Sequence, residues 1–297
     1  METVLERLPT RARIAVIRLR SLGDCVLTTP ALHILKSARS DLRISVVVED
    51  AFAPVFEGNP DIESIVPPRT AEMARLHPGL ALNLHGGTRS ARLTLACRAP
   101  LRAAFAHFRF SGLYNVRIPR AQAIMGVERK VHTAEHLASA MFYLGAPIGE
   151  IPRARLFATP ARAARPVLHP IASTPEKTWP AENFRTVAEQ LKKEGFDPVF
   201  IAGPGESLAE FSDYRCFVGA PLEEIKSLLA GAPLFIGNDS GPAHIAAAFG
   251  VRSIVLFGPS DHEIWAPWKT DAVVLKSPQI RDITVEQVSG ALAGLLV

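Results

Sequence analysis

Cysteine is scarce in this chain: Cys25, Cys97 and Cys216 are the only three in 297 residues, and they lie far apart. Such scatter excludes a disulfide framework and a cysteine-based zinc site. Long hydrophobic runs are missing too, which argues against a membrane-spanning helix of about 18 or more apolar residues. The opening stretch, METVLERLPTRARIAVIRL, is broken by charges and lacks the apolar run of a signal peptide, so a cytoplasmic location is expected. The first strand-turn, Arg18-Leu19-Arg20-Ser21-Leu22-Gly23, is not GxGxxG, against an ordinary nicotinamide dinucleotide site. The three tyrosines, Tyr114, Tyr143 and Tyr214, are followed four positions on by Ile118, Pro147 and Val218. The Tyr-x-x-x-Lys pair of a nucleotide-sugar epimerase is therefore absent.

Acidic residues are lacking between positions 73 and 127, where eight arginines run from Arg75 to Arg120. Residues 1–150 carry 19 Lys/Arg against 13 Asp/Glu, and residues 151–297 carry 14 against 16. The basic excess of the first half fits an anionic partner, since guanidinium forks suit phosphate and carboxylate oxygens, or a solvated basic face. The run has neither aromatic interleaving nor a reader motif, so no nucleic acid partner is expected.

What is present is an alternation of apolar strands and helices. Residues 13–19 (RIAVIRL) read as a buried strand, followed by a turn at Ser21-Leu22-Gly23 and a helix from about Cys25 to Ala38. Further strands are expected at 42–48, 62–66 and 80–84, with a short helix at 51–57. Prolines and glycines crowd residues 145–170, the best linker candidate. Beyond it, strands are expected at 167–169, 198–202, 234–236, 253–257 and 272–275, and helices at about 181–194, 222–230, 241–249 and 284–296. This order predicts an α/β chain of parallel βαβ units, favouring two Rossmann-like domains, residues 1–150 and 151–297, over a single doubly wound domain of 297 residues.

Asp24 falls just past the first strand, where open parallel sheets place ligands. A carboxylate there can accept a proton from a hydroxyl nucleophile, with Gly23 allowing close approach; equally, it can cap the following helix. In the second half three strand exits converge. One carries Lys177-Thr178-Trp179-Pro180, a second the turn Gly203-Pro204-Gly205-Glu206, and a third Asp239-Ser240-Gly241-Pro242-Ala243-His244. A lysine suits a diphosphate, and the amides of a helix opened by Pro242 suit phosphate oxygens; Asp239 or Ser240 can also serve as an N-cap. His132-Thr133-Ala134-Glu135-His136 fits the H-x-x-E-H zinc pattern, but no third ligand accompanies it, so His132 is expected either to pack at the start of a helix or to face substrate. No metal or other cofactor is expected.

Residues 14–30 (IAVIRLRSLGDCVLTTP) resemble the opening of the lipopolysaccharide heptosyltransferases, the ADP-heptose-using inverting GT-B glycosyltransferases of family 9. Lys177 to Pro180 is similar to the family's Lys-x-Trp-Pro. Asp239, Ser240, Gly241 and His244 match its Asp-[Ser/Thr]-Gly-x-x-His, and Gly258-Pro259-Ser260-Asp261 its Gly-Pro-Thr-Asp turn. The resemblance covers residues 14–48, 132–147, 168–206 and 234–268. It implies a GT-B fold, two doubly wound Rossmann-like domains facing across a cleft, the first for the acceptor and the second for the donor. It further implies Asp24 as general base, and Lys177, Glu206, Asp239, Ser240, Gly241 and His244 as donor-binding. Gly23, Arg20 (where the family has a small residue) and His132 would face the acceptor. The partners implied are ADP-heptose and an anionic glycolipid, with peripheral contact at the cytoplasmic face of the inner membrane. The rival reading is a nucleotide- or polyanion-binding protein without transferase activity.

Overall fold

The computed structural model describes residues 2–296. The chain divides into two compact units, Met1–Phe157 and Ala158–Val297. The first contains β1 (Arg13–Ile17), α1 (Leu22–Ala38), β2 (Arg43–Val47), β3 (Ser64–Val66), α2 (Thr70–Leu76) and β4 (Leu80–Asn83). It continues with α3 (Gly87–Ala96), β5 (Leu101–Phe105), β6 (Val116–Ile118), α4 (Ala121–Met125) and α5 (Thr133–Leu144). The second contains β7 (Val167–His169), α6 (Ala181–Lys193), β8 (Val199–Ala202), β9 (Arg215–Val218), α7 (Leu222–Ala230) and β10 (Phe235–Asn238). It closes with α8 (Gly241–Phe249), β11 (Ser253–Phe257), α9 (His262–Trp265), β12 (Ala272–Lys276) and α10 (Val285–Leu296).

Each unit holds one six-stranded parallel sheet, ordered β3-β2-β1-β4-β5-β6 in the first and β12-β11-β10-β7-β8-β9 in the second. Counted within each unit, both are the doubly wound order 3-2-1-4-5-6. The strand order therefore reverses between β1 and β4, and again between β7 and β10. A crevice opens at such a reversal because the connections leave in opposite directions, so ligands bind beyond these strand ends. Strands β1, β4, β7 and β10 are almost wholly buried, which explains their continuous apolar runs.

Three strands escape the sequence reading. β6 and β9 are edge strands of three and four residues with exposed charged positions, and β5 (LRAAF) is alanine-rich and carries an arginine. The short helix expected at 51–57 is a 3₁₀ turn over Asp50–Val55, where Pro54 removes a backbone donor. Helix α1 starts at Leu22, three residues earlier than expected, so Gly23 and Asp24 lie in its first turn and Ser21 is its N-cap. Among the described residues, no helix is long and apolar enough to cross a membrane.

Candidate active site

In the first unit the strand-order reversal collects the ends of β1 and β4. Asp24 projects from the first turn of α1, its side chain 23% exposed. One carboxylate oxygen accepts from Arg18 Nη1 at 3.3 Å, and the other from Ser21 Oγ at 3.0 Å and the Ser21 amide at 3.4 Å. The capping reading of Asp24 is thus realised from inside the helix: it takes the acidic place of a capping box and still leaves an exposed edge. Arg18 is buried, and burial pulls its guanidinium below the ordinary value while Asp24 opposes the shift. Arg20 is exposed and Gly23 buried.

Asn83, fully buried at the end of β4, builds the facing turn. Its Oδ1 accepts from the amides of His85 and Gly86, both at 3.0 Å, and its Nδ2 donates to Ser90 Oγ and Tyr114 Oη at 3.1 and 2.8 Å. The His85 ring bonds the Arg20 backbone, tying this turn to the one that carries Asp24. Burial first, then the Arg18 charge, hold its pKa down, so His85 is a neutral neighbour of Asp24. His132, expected at the acceptor, is buried as the N-cap of α5, with Nδ1 accepting from the Ala134 amide at 3.1 Å. His136 instead stacks on Phe105, with ring centroids 3.9 Å apart. The two histidines of the H-x-x-E-H stretch therefore have separate tasks.

In the second unit the reversal collects the ends of β7 and β10. Lys177 Nζ stands 3.8 Å from Asp239 Oδ2. Burial raises the Asp239 pKa, with the Ser260 hydroxyl and Lys177 pulling the other way. Trp179 is fully buried, its amide donating to Asn238 Oδ1 at 3.1 Å and its indole N–H to the Ile283 carbonyl at 2.7 Å. It is at once core and the anchor of the lysine loop. Gly258 lets that loop pass: a Cβ there would lie 2.7 Å from the Glu176 carbonyl oxygen.

Helix α8 begins at Gly241 with Pro242 in its first turn and Ser240 in the N-cap position. The Ser240 hydroxyl donates to the Asn238 carbonyl at 3.0 Å and does not cap the helix, so no side-chain cap occupies the α8 amides. His169 Nδ1 meets the same hydroxyl at 2.9 Å, and burial drives the pKa of this histidine down to about 4. Because the hydroxyl proton is committed to a carbonyl, the neutral His169 donates from Nδ1. Gly237 leaves room for this contact, since a Cβ would sit 3.1 Å from the His169 Cβ. His244 is buried in α8. Glu206 folds back on its own turn, Oε2 accepting from the Gly203 amide at 2.6 Å. Lys177, Asp239, Ser240 and Gly241 thus come together, while Glu206 closes its loop.

Arg18, Asn83, His85, His169 and Asn238 are further candidates, lining these two strand-order reversals, that the sequence reading does not single out. The available signal was a polar residue at or just past the end of an apolar strand.

The model of glycosyltransferase family 9 (heptosyltransferase) matches residues 77–290. Lipopolysaccharide heptosyltransferase 3 of Escherichia coli K12 is 26% identical, the match covering 86% of this chain and 85% of that protein. Lipopolysaccharide heptosyltransferase 1 of the same strain is 25% identical over 90% and 94%. Among solved structures, the family 9 glycosyl transferase of Veillonella parvula superposes with a TM-score of 0.86 at 22% identity, covering 100% and 98% of the two chains. E. coli ADP-heptose lps heptosyltransferase II gives 0.81 at 21% identity, over 96% and 98%. These structures share the GT-B fold with this chain. With the family model matched over more than half its length, and two doubly wound units each presenting polar groups at the reversal of strand order, the chain belongs to glycosyltransferase family 9 (heptosyltransferase).

Proposed function

We propose that this enzyme transfers a heptose from ADP-heptose to a hydroxyl of a lipopolysaccharide core or lipid A-type acceptor, inverting the anomeric configuration. Residues 1–150 serve the acceptor and residues 151–297 the donor. Asp24 carries the reading: a partly exposed carboxylate at the strand-order reversal, each oxygen already oriented by Arg18 or Ser21. Asp24 takes the acceptor hydroxyl proton as that oxygen forms its bond to the anomeric carbon. The bond from that carbon to the diphosphate oxygen breaks on the opposite face, and its electron pair leaves with ADP. Lys177 and the open α8 amides meet the charge gathering on the diphosphate. Asp239, held beside Lys177, faces the sugar, with His244 behind it in α8. Glu206 opens from Gly203 to take the ribose. Arg20, Gly23 and His132 border the acceptor. An acyl-chain-bearing acceptor places the enzyme in peripheral contact with the cytoplasmic face of the inner membrane.

ADP release from ADP-heptose and a lipid A–core glycolipid tests the reading, together with the anomeric configuration of the product by NMR. Asp24→Asn is expected to lower turnover by about 10²–10⁴-fold while calorimetric ADP affinity stays near wild type. Lys177→Ala is expected to weaken ADP binding. Near-wild-type turnover of the Asp24 variant, or a retained configuration, would sink the mechanism.

A further inference from the structure

Phe105 ends β5, at the same carboxyl-terminal end of the parallel sheet as the Asp24 turn that follows β1. The His136 ring lies on it with 19° between planes, and the His107 centroid is 5.6 Å from that of His136. Phe108 closes the group edge-on to both Phe105 and His107. Among the described residues no hydrogen bond holds either imidazole. Two polar rings held by ring contacts alone, His136 stacked and His107 tilted or edge-on, have nitrogens to spare for a ligand.

The charges around them share one sign. Arg18 and Arg120 both act on His136 as positive charges, and Arg120 follows β6, whose Ile118 pairs with Phe105. The nearby acids are engaged elsewhere: Glu135, its neighbour in α5, pairs with Arg129 at 2.6 Å, and Asp24 with Arg18 at 3.3 Å. Arg120 has no ion-pair partner among the described residues, and both it and His107 lie in the acid-free stretch between residues 73 and 127. We propose that His107, Arg120 and His136 form a subsite for an oxyanion, a carboxylate or phosphate carried by the acceptor, beside the attacking hydroxyl. The assignment to the acceptor rests on the transferase reading above.

The subsite has a linkage consequence. Burial first, then the surrounding cations, hold His136 neutral in the free protein, with a pKa of about 4. A bound oxyanion favours the imidazolium, so binding raises that pKa and takes up a proton between the free and bound values. The acceptor should therefore bind more tightly as pH falls towards 5.

Ring 15N–1H spectra of the full-length protein, with nine histidines to assign, test this against inorganic phosphate and D-glucuronate separately. The His136 pKa is expected to rise by about one unit or more with at least one probe. The responding probe identifies the oxyanion, and an unmoved pKa with both overturns the subsite. In kinetics, His136→Phe preserves the stack on Phe105, and Arg120→Ser alters only an exposed side chain. Both are expected to raise acceptor KM at pH 6 by roughly threefold or more, a larger effect than on kcat. Acceptor KM unchanged in both variants also overturns it. If ADP-heptose and the glycolipid give no turnover at all, the transferase reading falls, while the ring titration still decides the subsite on its own.

Discussion

Asn83 and Asn238 occupy equivalent corners of the two units, each fully buried as the last residue of the fourth strand. Each uses its carboxamide to fix a turn at the reversal of strand order. Asn238 receives the Trp179 amide on Oδ1 and donates from Nδ2 to the Pro170 carbonyl at 2.9 Å. It therefore stitches both ends of the lysine loop to the sheet. A buried polar group left without its partner costs about 1–3 kcal/mol. Asn238→Leu, which matches the volume but strands an N–H and a C=O, is expected to lower the unfolding free energy by about 2–4 kcal/mol. ADP affinity should fall as well, because Lys177 rides on that loop. Urea titration with calorimetry checks both, and an unshifted midpoint would show that the loop finds other partners.

At the scale of elements, the buried strands were legible because burial on both faces leaves an uninterrupted apolar run, as in IAVI and SIVLF. The edge strands β6 and β9 were not, since each carries an exposed arginine and has no such run. Asp24, Lys177 and Asp239 were legible as candidates because each follows a strand and sits in a short motif. His169 was not: its meaning depends on Ser240, 71 positions away, just as that of Asn83 depends on Tyr114, 31 away. Such pairings exist only once the sheet order has brought the strands side by side. Gly258 belongs to the same level, being a residue of one turn whose absent side chain admits another. In Gly258→Ala the new Cβ would lie 2.7 Å from the Glu176 oxygen and 3.2 Å from Ile280 Cβ, so the lysine loop must shift. ADP affinity is expected to drop by about tenfold, near 1.4 kcal/mol. Gly149→Ala, where a Cβ meets nothing within 4 Å, is the matched control. Equal ADP affinity in the two variants would mean that the loop is not held by this contact.

Across the whole molecule, each unit holds a histidine with a strongly depressed pKa: half-buried His136 in the first and buried His169 in the second, both near 4. The unfolded chain holds such groups near the ordinary value of about 6.5. Between those two values the unfolded state binds more protons than the folded one, so stability is full above about pH 6.5 and declines as pH falls towards 4. From pH 6.5 to 5 the loss is on the order of 1.5 kcal/mol per ring. His85 and His107, also depressed chiefly by burial, add in the same direction. Carboxylates held low by hydrogen bonds, such as Asp213 with Arg185, lose their contribution only at lower pH, below the ordinary carboxylate range. Thermal unfolding followed between pH 6.5 and 5 therefore reads chiefly the histidines, with Asp239, whose pKa burial raises, working in the opposite direction. The midpoint is expected to fall across that window in a buffer without oxyanions, and to fall less in the His136→Phe, His169→Asn double variant. Added phosphate should flatten the wild-type curve through the His136 subsite more than that of the double variant, which keeps only the Lys177 and α8 amide site. A wild-type midpoint that does not move between pH 6.5 and 5 would show that these rings are solvated or already partnered by a charge.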